Sequence, residues 1–160
     1  GNAPLEEVVM GLEKLHDYQM GIKLNQLFDL SRLVAKASGR KPAWQKSLVG
    51  EGAFCHESGI HVDGLLKDPW NYQSIDPAEV GREHQFMLGK HSGVSGLIFT
   101  YAAMGVTLGR EQANEILPWV RSFSENKKRS PNKTELRQYY QQIDSAPLQP
   151  LHSCPKEYLL

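Results

Sequence analysis

One short glycine-rich stretch of the chain, Gly50–Pro69, contains two histidines, each with a carboxylate within two residues of it. These four residues are His56, Glu57, His61 and Asp63. Glycine adopts backbone angles that a Cβ atom would forbid, so the four glycines of the stretch permit turns that aim these side chains at a common point. We therefore predict a catalytic loop here, in which His56 and Glu57 bind substrate.

A histidine in this loop is suited to general acid–base catalysis, because imidazole titrates near neutral pH. A neighbouring carboxylate, from Glu57 or Asp63, is expected to orient the ring. A local zinc site is a weaker interpretation, since Cys55, His84 and His91 fall into no tight metal spacing. The alternative without function is that both histidines bond backbone carbonyls in a tight loop, and the spacing alone leaves it open.

A second glycine-rich segment, Gly89–Gly93, contains Lys90, His91 and Ser92 and precedes another predicted helix. Free N–H groups, a cation and a hydroxyl together suit a carboxylate or phosphate, so we predict that these three residues contact substrate. The segment is not a Walker loop, and a simple capped helix is the alternative. Tyr72 lies in an irregular segment, where its phenol either donates to a developing oxyanion or serves packing.

The elements that must position these residues are mainly helical in their pattern. Apolar residues recur at helical spacing in six segments, at about Leu5–Leu15, Leu24–Lys36, Ile60–Lys67, Val94–Met104, Arg110–Asn126 and Leu136–Ile143. One short strand is predicted at Gln85–Leu88.

Local signals predict where these helices begin and end. Asn2 or Ala3 is the expected cap of the first helix, and Thr134 that of the last. Gly39 is expected to end the second helix. Pro118 is expected to kink or restart the helix in which it lies, because proline lacks the N–H that the helix needs.

The composition argues against several classes of function. The 160 residues carry 18 Lys plus Arg against 18 Asp plus Glu, so no overall field attracts nucleic acid or an anionic membrane. No window approaches the roughly 18 apolar residues of a membrane span, and the basic run Lys127–Arg129 is typical of a solvated corner. Two cysteines far apart argue against a disulfide framework and indicate a reducing cytoplasm. A small-molecule ligand is therefore expected.

Three motifs in order resemble the acyl-CoA-condensing enzymes that include 2-isopropylmalate and homocitrate synthases. Gly1–Val8 is similar to the end of that family's glutamate-arginine-alanine-glycine-asparagine signature, and the other two motifs are Val49–Pro69 and Leu88–Gly93. Within the family, Val120–Pro131 and Glu135–Tyr140 most resemble the nitrogen-fixation type of homocitrate synthase. The resemblance covers most of the chain.

The resemblance implies a metal-dependent Claisen condensation in a (β/α)8 barrel enzyme. A divalent ion (Mg, Mn or Zn) would bind 2-oxoglutarate, acetyl-CoA would lose a methyl proton, and attack of the enolate on the ketone would lead to homocitrate and CoA. His61 matches the general base, which in relatives reaches the active site of the partner subunit in a homodimer. Tyr72 matches an assisting tyrosine, and Asn2 matches an asparagine at or near the metal.

The chain also departs from the family, since it has neither the early aspartate-arginine-glutamate segment nor a His-x-His pair for the metal. We therefore expect a C-terminal portion that is inactive alone and holds no metal firmly. Its fold class is expected to be mainly α with a small α/β subdomain, a fragment of a TIM-barrel enzyme plus accessory subdomains. We expect the last barrel helices at 1–48, an accessory subdomain with the catalytic loop at 49–105, a helical subdomain at 106–145 and a flexible tail at 146–160.

Two alternatives to a homocitrate synthase stay open. A 2-isopropylmalate or citramalate synthase would differ chiefly in an oxoacid pocket that this chain does not contain. Glu57 stands where the lysine-pathway branch usually has lysine, which favours the nitrogen-fixation or leucine-type branch. The alternative of another class is a non-catalytic module for dimerisation or effector binding.

Overall fold

The computed structural model describes residues 2–143, which form six α-helices and a two-stranded sheet. The helices are α1 (Leu5–His16), α2 (Leu27–Ser38), α3 (Gly59–Lys67), α4 (Val94–Ala103), α5 (Arg110–Lys127) and α6 (Lys133–Ile143). The strands are β1 (Cys55–His56) and β2 (Gln85–Phe86), and 3₁₀ turns occur at Leu24–Gln26, Pro69–Asn71 and Pro77–Val80. The mainly helical character is confirmed, while the predicted strand contains two residues instead of four. The expected tail at 146–160 lies outside the described residues.

The predicted helices agree with the observed ones to within a few residues, because their apolar spacing is a local property of the chain. Gly39 ends α2 in the left-handed region at φ 70°, as predicted. A restart at Pro118 was a wrong expectation, since α5 is one continuous helix of 18 residues. The neighbours Ile116, Leu117 and Val120 are buried, and their packing offsets the hydrogen bond that the proline removes.

Two of the predicted caps were misplaced. Pro4 occupies the cap position of α1, where neither Asn2 nor Ala3 stands. At α6 the capping residue is Asn132 instead of Thr134: its Oδ1 accepts the Glu135 N–H (2.9 Å), and the Glu135 carboxylate accepts the Asn132 N–H (2.7 Å). This reciprocal pair satisfies two N–H groups that the helix itself leaves without partners.

The described residues divide into two compact units, and the first contains residues 2–55 and 74–85. Its apolar core is formed by Met10, Leu27, Val49 and Val80. The Arg82 guanidinium is buried beside this core, 4.1 Å from the centre of the Phe28 ring. It donates to the carbonyls of Gly50 (2.8 Å) and Glu51 (3.0 Å), which fixes the start of the glycine-rich stretch.

The second unit contains residues 56–73 and 86–143 of the described chain. Its core joins α4, α5 and α6 through fully buried side chains, among them Leu97, Tyr101, Ile116 and Val120. The Tyr101 hydroxyl donates to the Leu136 carbonyl at 2.6 Å. Within residues 2–143, no helix combines the length and the apolar character needed to cross a bilayer.

Candidate functional site

The second unit places the first turns of α3 and α4 side by side. Gly59 opens α3, and its N–H donates to the His91 carbonyl at 2.9 Å. A Cβ atom built on Gly59 would lie 2.7 Å from both the Cα and the N of Gly93. Two glycines therefore allow direct contact between the backbones of the two glycine-rich segments. This contact brings α3, which carries His61, next to the segment of Lys90.

His61 and Tyr72 form a stacked pair on the surface of this unit. Their ring centres are 4.3 Å apart, with an interplanar angle of 29°. Both side chains are exposed, so the imidazole is not sealed inside a packed interior. Tyr72 follows the turn Pro69–Asn71, which is capped by the Asp68 carboxylate accepting the Trp70 N–H at 3.0 Å. The arrangement presents an accessible base next to a phenol ring.

The segment Gly89–Gly93 is held by hydrogen bonds that its own serine makes. Ser92 is buried, and its Oγ accepts the Gly89 N–H at 2.8 Å. The Arg121 guanidinium donates twice to the Ser92 carbonyl, at 3.0 and 2.6 Å. Lys90 and His91, in contrast, have exposed side chains. Of the three residues predicted to contact substrate, these two are the ones that face solvent, while the Ser92 hydroxyl is engaged within the loop.

The carboxylates of Glu57 and Asp63 bond to groups other than the His61 ring. Glu57 Oε1 accepts the His91 N–H at 3.1 Å, which ties the two glycine-rich segments together. Asp63 accepts hydrogen bonds from Lys67 (2.6 Å) and Ser95 (2.7 Å), and these bonds lower the pKa of its carboxyl group. The expectation that Glu57 or Asp63 orients His61 therefore differs from the observed bonds, in which an aromatic ring stacks on the imidazole.

His56 lies in β1, where it is half-buried. Its carbonyl accepts the Met87 N–H at 2.9 Å, and its ring is tilted against Phe86 at 6.1 Å between centres. Through these contacts His56 helps to hold the two strands together. Its assignment to substrate binding stays a prediction.

The described residues do not form a metal site on their own. Among residues 2–143, no three His, Cys, Asp or Glu side chains come close enough together to hold an ion. Asn2 is an exposed amide of the first unit. Cys55 and His84 are half-buried there, and burial raises the pKa of the Cys55 thiol and lowers that of His84. We therefore derive no chemical step through a metal from these residues.

Some contributors to this site carried no signal in the sequence. Ser95 and Arg121 lie inside helical patterns, where they are ordinary polar residues. Their partners, Asp63 and the Ser92 carbonyl, are 32 and 29 residues away in the chain. Such pairs are created by the packing of α3, α4 and α5 and leave no local pattern by which to find them.

Comparison with known proteins gives a consistent result. The family model described as homocitrate synthase post-HMGL domain-like matches residues 48–128, half of the chain. The chain is 45% identical over 143 residues to 2-isopropylmalate synthase 2 of Caldanaerobacter subterraneus, covering 89% of this chain and 37% of the relative. It is 44% identical over 137 residues to homocitrate synthase 1 of Nostoc sp., covering 85% of this chain and 36% of the relative.

A third relative is a proposed (R)-citramalate synthase of Methanopyrus kandleri, 46% identical over 129 residues, or 81% of this chain and 25% of the relative. The chain thus spans between a quarter and two-fifths of the length of these relatives. The three names differ in the product, while the identities lie within two percentage points of each other.

Proposed function

Since the chain belongs to the homocitrate synthase post-HMGL domain-like family, we propose that it is the C-terminal part of a synthase that condenses acetyl-CoA with a 2-oxoacid. The observation that carries this proposal is the exposed His61 ring stacked on Tyr72. A general base must be accessible to its substrate, as this imidazole is, and the three relatives named above are all called synthases.

In the proposed reaction, His61 removes a proton from the methyl carbon of the acetyl thioester. Such a proton is too weakly acidic for water at neutral pH, so a positioned base must act as the enolate forms. The enolate carbon then attacks the ketone of the 2-oxoacid, and hydrolysis of the thioester releases CoA. Tyr72 assists by holding the imidazole plane, and its hydroxyl is available to donate to the enolate oxygen.

The segment Gly89–Gly93 is proposed to bind an anionic group of a substrate. Lys90 supplies a positive charge and His91 a second donor, and both side chains are exposed beside the start of α4. A helix N-terminus with a cation favours a carboxylate or phosphate. Ser92 and Glu57 would support this function indirectly, because their hydrogen bonds hold the segment in shape.

His61 is proposed to serve the active site of a partner subunit in a homodimer, as the resemblance implies. Its exposure in this unit supports that role, since a ring that is stacked on Tyr72 and still exposed is accessible to another part of the assembly. Asn2 is proposed to lie at or near a divalent metal in the complete enzyme. When bound, that ion would polarise the ketone of the 2-oxoacid.

We propose 2-oxoglutarate as the 2-oxoacid and homocitrate as the product, on the resemblance of Val120–Pro131 and Glu135–Tyr140 to the nitrogen-fixation type. Isopropylmalate and citramalate synthases are the alternatives, because relatives with those names are as similar as the homocitrate synthase. Full-length protein offered 2-oxoglutarate, 2-oxoisovalerate or pyruvate, with release of the CoA thiol measured, separates the three. A clear preference for either of the last two acids would overturn the homocitrate assignment.

The role of His61 is tested by His61→Ala in the full-length protein. We expect turnover to fall by about 100- to 10,000-fold, the usual contribution of a general base. His16→Ala is the matched control, because His16 is an exposed histidine at the end of α1 with no assigned role, and it should leave turnover unchanged. A His61→Ala enzyme that keeps its turnover would favour the non-catalytic module instead.

A further inference from the structure

We propose that Gly64 is a positioning residue, which holds Tyr72 flat against His61 because it has no side chain. The residue lies in α3 and acts through Tyr72, and not on a substrate. The proposal rests on the proposed function only for its effect on turnover. The contact between the three residues stands on the geometry of this unit alone.

The space beside Gly64 is filled by one side chain. A Cβ atom built on Gly64 would lie 2.7 Å from Cδ2 of Tyr72 and closer still to Cε2. The third nearest atom is Cζ of the same ring, at 3.7 Å. The three nearest neighbours of a Cβ atom at this position therefore all belong to Tyr72.

Nothing in the backbone itself calls for glycine at this position. Gly64 lies inside a helix and has no positive φ angle, unlike Gly39 and Gly81. In a helix, glycine is less favourable than alanine by about 1 kcal/mol. The backbone therefore gives no reason for a residue that weakens α3. The Tyr72 ring that lies across position 64 explains why glycine occupies it.

The position of Gly64 also explains why the ring reaches His61. Residues three apart lie on the same face of a helix, so a ring that covers Gly64 extends to His61. The turn before Tyr72 is tied to this face, since the Asn71 side chain donates to the Gly64 carbonyl at 3.2 Å. Asn71 is thus a second positioning residue, because its hydrogen bond ties the turn before Tyr72 to α3. This bond is called the tether below.

Replacing Gly64 with alanine is expected to move the ring and leave the fold intact. The atoms that must give way are the far end of a side chain that is 42% exposed, so Tyr72 can swing into solvent. Alanine also favours the helical conformation of α3. We therefore expect the Tyr72 ring to be displaced while the stability of the protein stays the same or rises. A merely structural role for Gly64 would not produce this combination.

The experiment compares Gly64→Ala with Gly11→Ala in the full-length protein. Gly11 is a matched control, because it is also a helical glycine and a Cβ atom there would meet nothing within 4 Å. Histidine labelled with ¹³C in the ring reports the ring current that Tyr72 imposes on His61, with His61→Gln used to assign the signal. We expect Gly64→Ala and Tyr72→Leu to shift this signal alike, and Gly11→Ala to leave it in place.

The activity arm uses the same variants and a double mutant. We expect Gly64→Ala to lower kcat by about 100-fold with little change in KM, the typical effect of misplacing a reacting group by about 1 Å. In the Tyr72→Leu background, Gly64→Ala should have no further effect, because it acts only through the ring. Midpoints of urea unfolding should be unchanged or higher in Gly64→Ala.

An unshifted His61 signal in Gly64→Ala would overturn the proposal. So would a shifted signal with unchanged kcat, or additive losses in the double mutant. If the wild-type protein releases no thiol with any 2-oxoacid, the proposed function fails, and the His61 signal alone decides whether Gly64 holds the ring pair. Should Gly64→Ala not fold, Asn71→Ala removes the tether without adding bulk and is read by the same signals.

Discussion

The contact between the two glycine-rich segments yields a quantitative prediction for Gly59→Ala. A Cβ atom at Gly59 would meet backbone atoms, the Cα and N of Gly93 at 2.7 Å. Gly93→Ala would meet the same obstacle, since a Cβ atom on Gly93 would lie 2.9 Å from the Cα of Gly59. Backbone cannot swing aside as a side chain can, so the two loops must separate.

The size of the effect follows from this distance. The optimal separation of two non-bonded carbon atoms is about 3.5–4.0 Å, so the backbones must move apart by about 1 Å. That movement costs about 1–3 kcal/mol in overpacking. It also stretches the 2.9 Å bond from Gly59 N–H to the His91 carbonyl, which is worth about 0.5–1.5 kcal/mol. The helix preference of alanine returns at most about 1 kcal/mol, which leaves a net loss of about 0.5–4.5 kcal/mol.

Urea unfolding measures this loss, and amide hydrogen exchange of α3 and α4 locates it in the second unit. Gly11→Ala is again the control and should be neutral or stabilising by up to about 1 kcal/mol. We also expect Gly59→Ala to lower turnover, because it displaces α3, which carries His61, from the segment of Lys90. If Gly59→Ala is as stable as Gly11→Ala and exchange in α3 is unchanged, the close approach is not a constraint on this fold.

Two further predictions concern the α5–α6 region. The Arg129 guanidinium and the Asn132 N–H lower the pKa of Glu135 from 4.5 to about 2. A depressed folded-state pKa stabilises the protein above the unfolded value, so this contribution should be complete above pH 4.5 and disappear as the pH falls towards 2. Glu135→Gln should therefore unfold at lower urea than wild type at pH 6, and the gap should close near pH 2. Tyr101→Phe removes the 2.6 Å bond to the Leu136 carbonyl and should cost about 1–2 kcal/mol at any pH between 5 and 8, as measured by urea unfolding; an unchanged midpoint would show that this bond adds nothing.

The helices were predictable because each depends on residues that are close together in the chain. The apolar spacing of α1 and α5 and the stop at Gly39 were visible directly in the sequence. The error at Pro118 arose because residues distant in the chain decide the outcome there. Pro118 stays within α5 because its neighbours are buried against the rest of the unit. The cap of α6, in contrast, was a local signal that was missed, because Asn132 and Glu135 are only three residues apart and exchange hydrogen bonds.

The candidate site was only partly predictable. Residue type in the glycine-rich segments was enough to propose the histidines and Lys90 as candidates, whereas the family resemblance selected His61 and Tyr72. Type was not enough for Ser92, since a hydroxyl at a helix start serves a ligand or the loop equally well, and here it accepts the Gly89 N–H. The bonding partners of a polar group cannot be read from the group itself.

The sequence by itself determined which side chains with useful chemistry are present, and that helices carry them. Tertiary structure decided which of these side chains meet. Tyr72 stacks on His61 only because the chain folds back over Gly64. The Ser92 carbonyl accepts hydrogen bonds from Arg121, which lies in another helix. The physical reason is that such contacts depend on the packing of whole helices, whose free energy is spread over many buried residues, whereas the apolar spacing and the end signals of a helix lie close together in the chain.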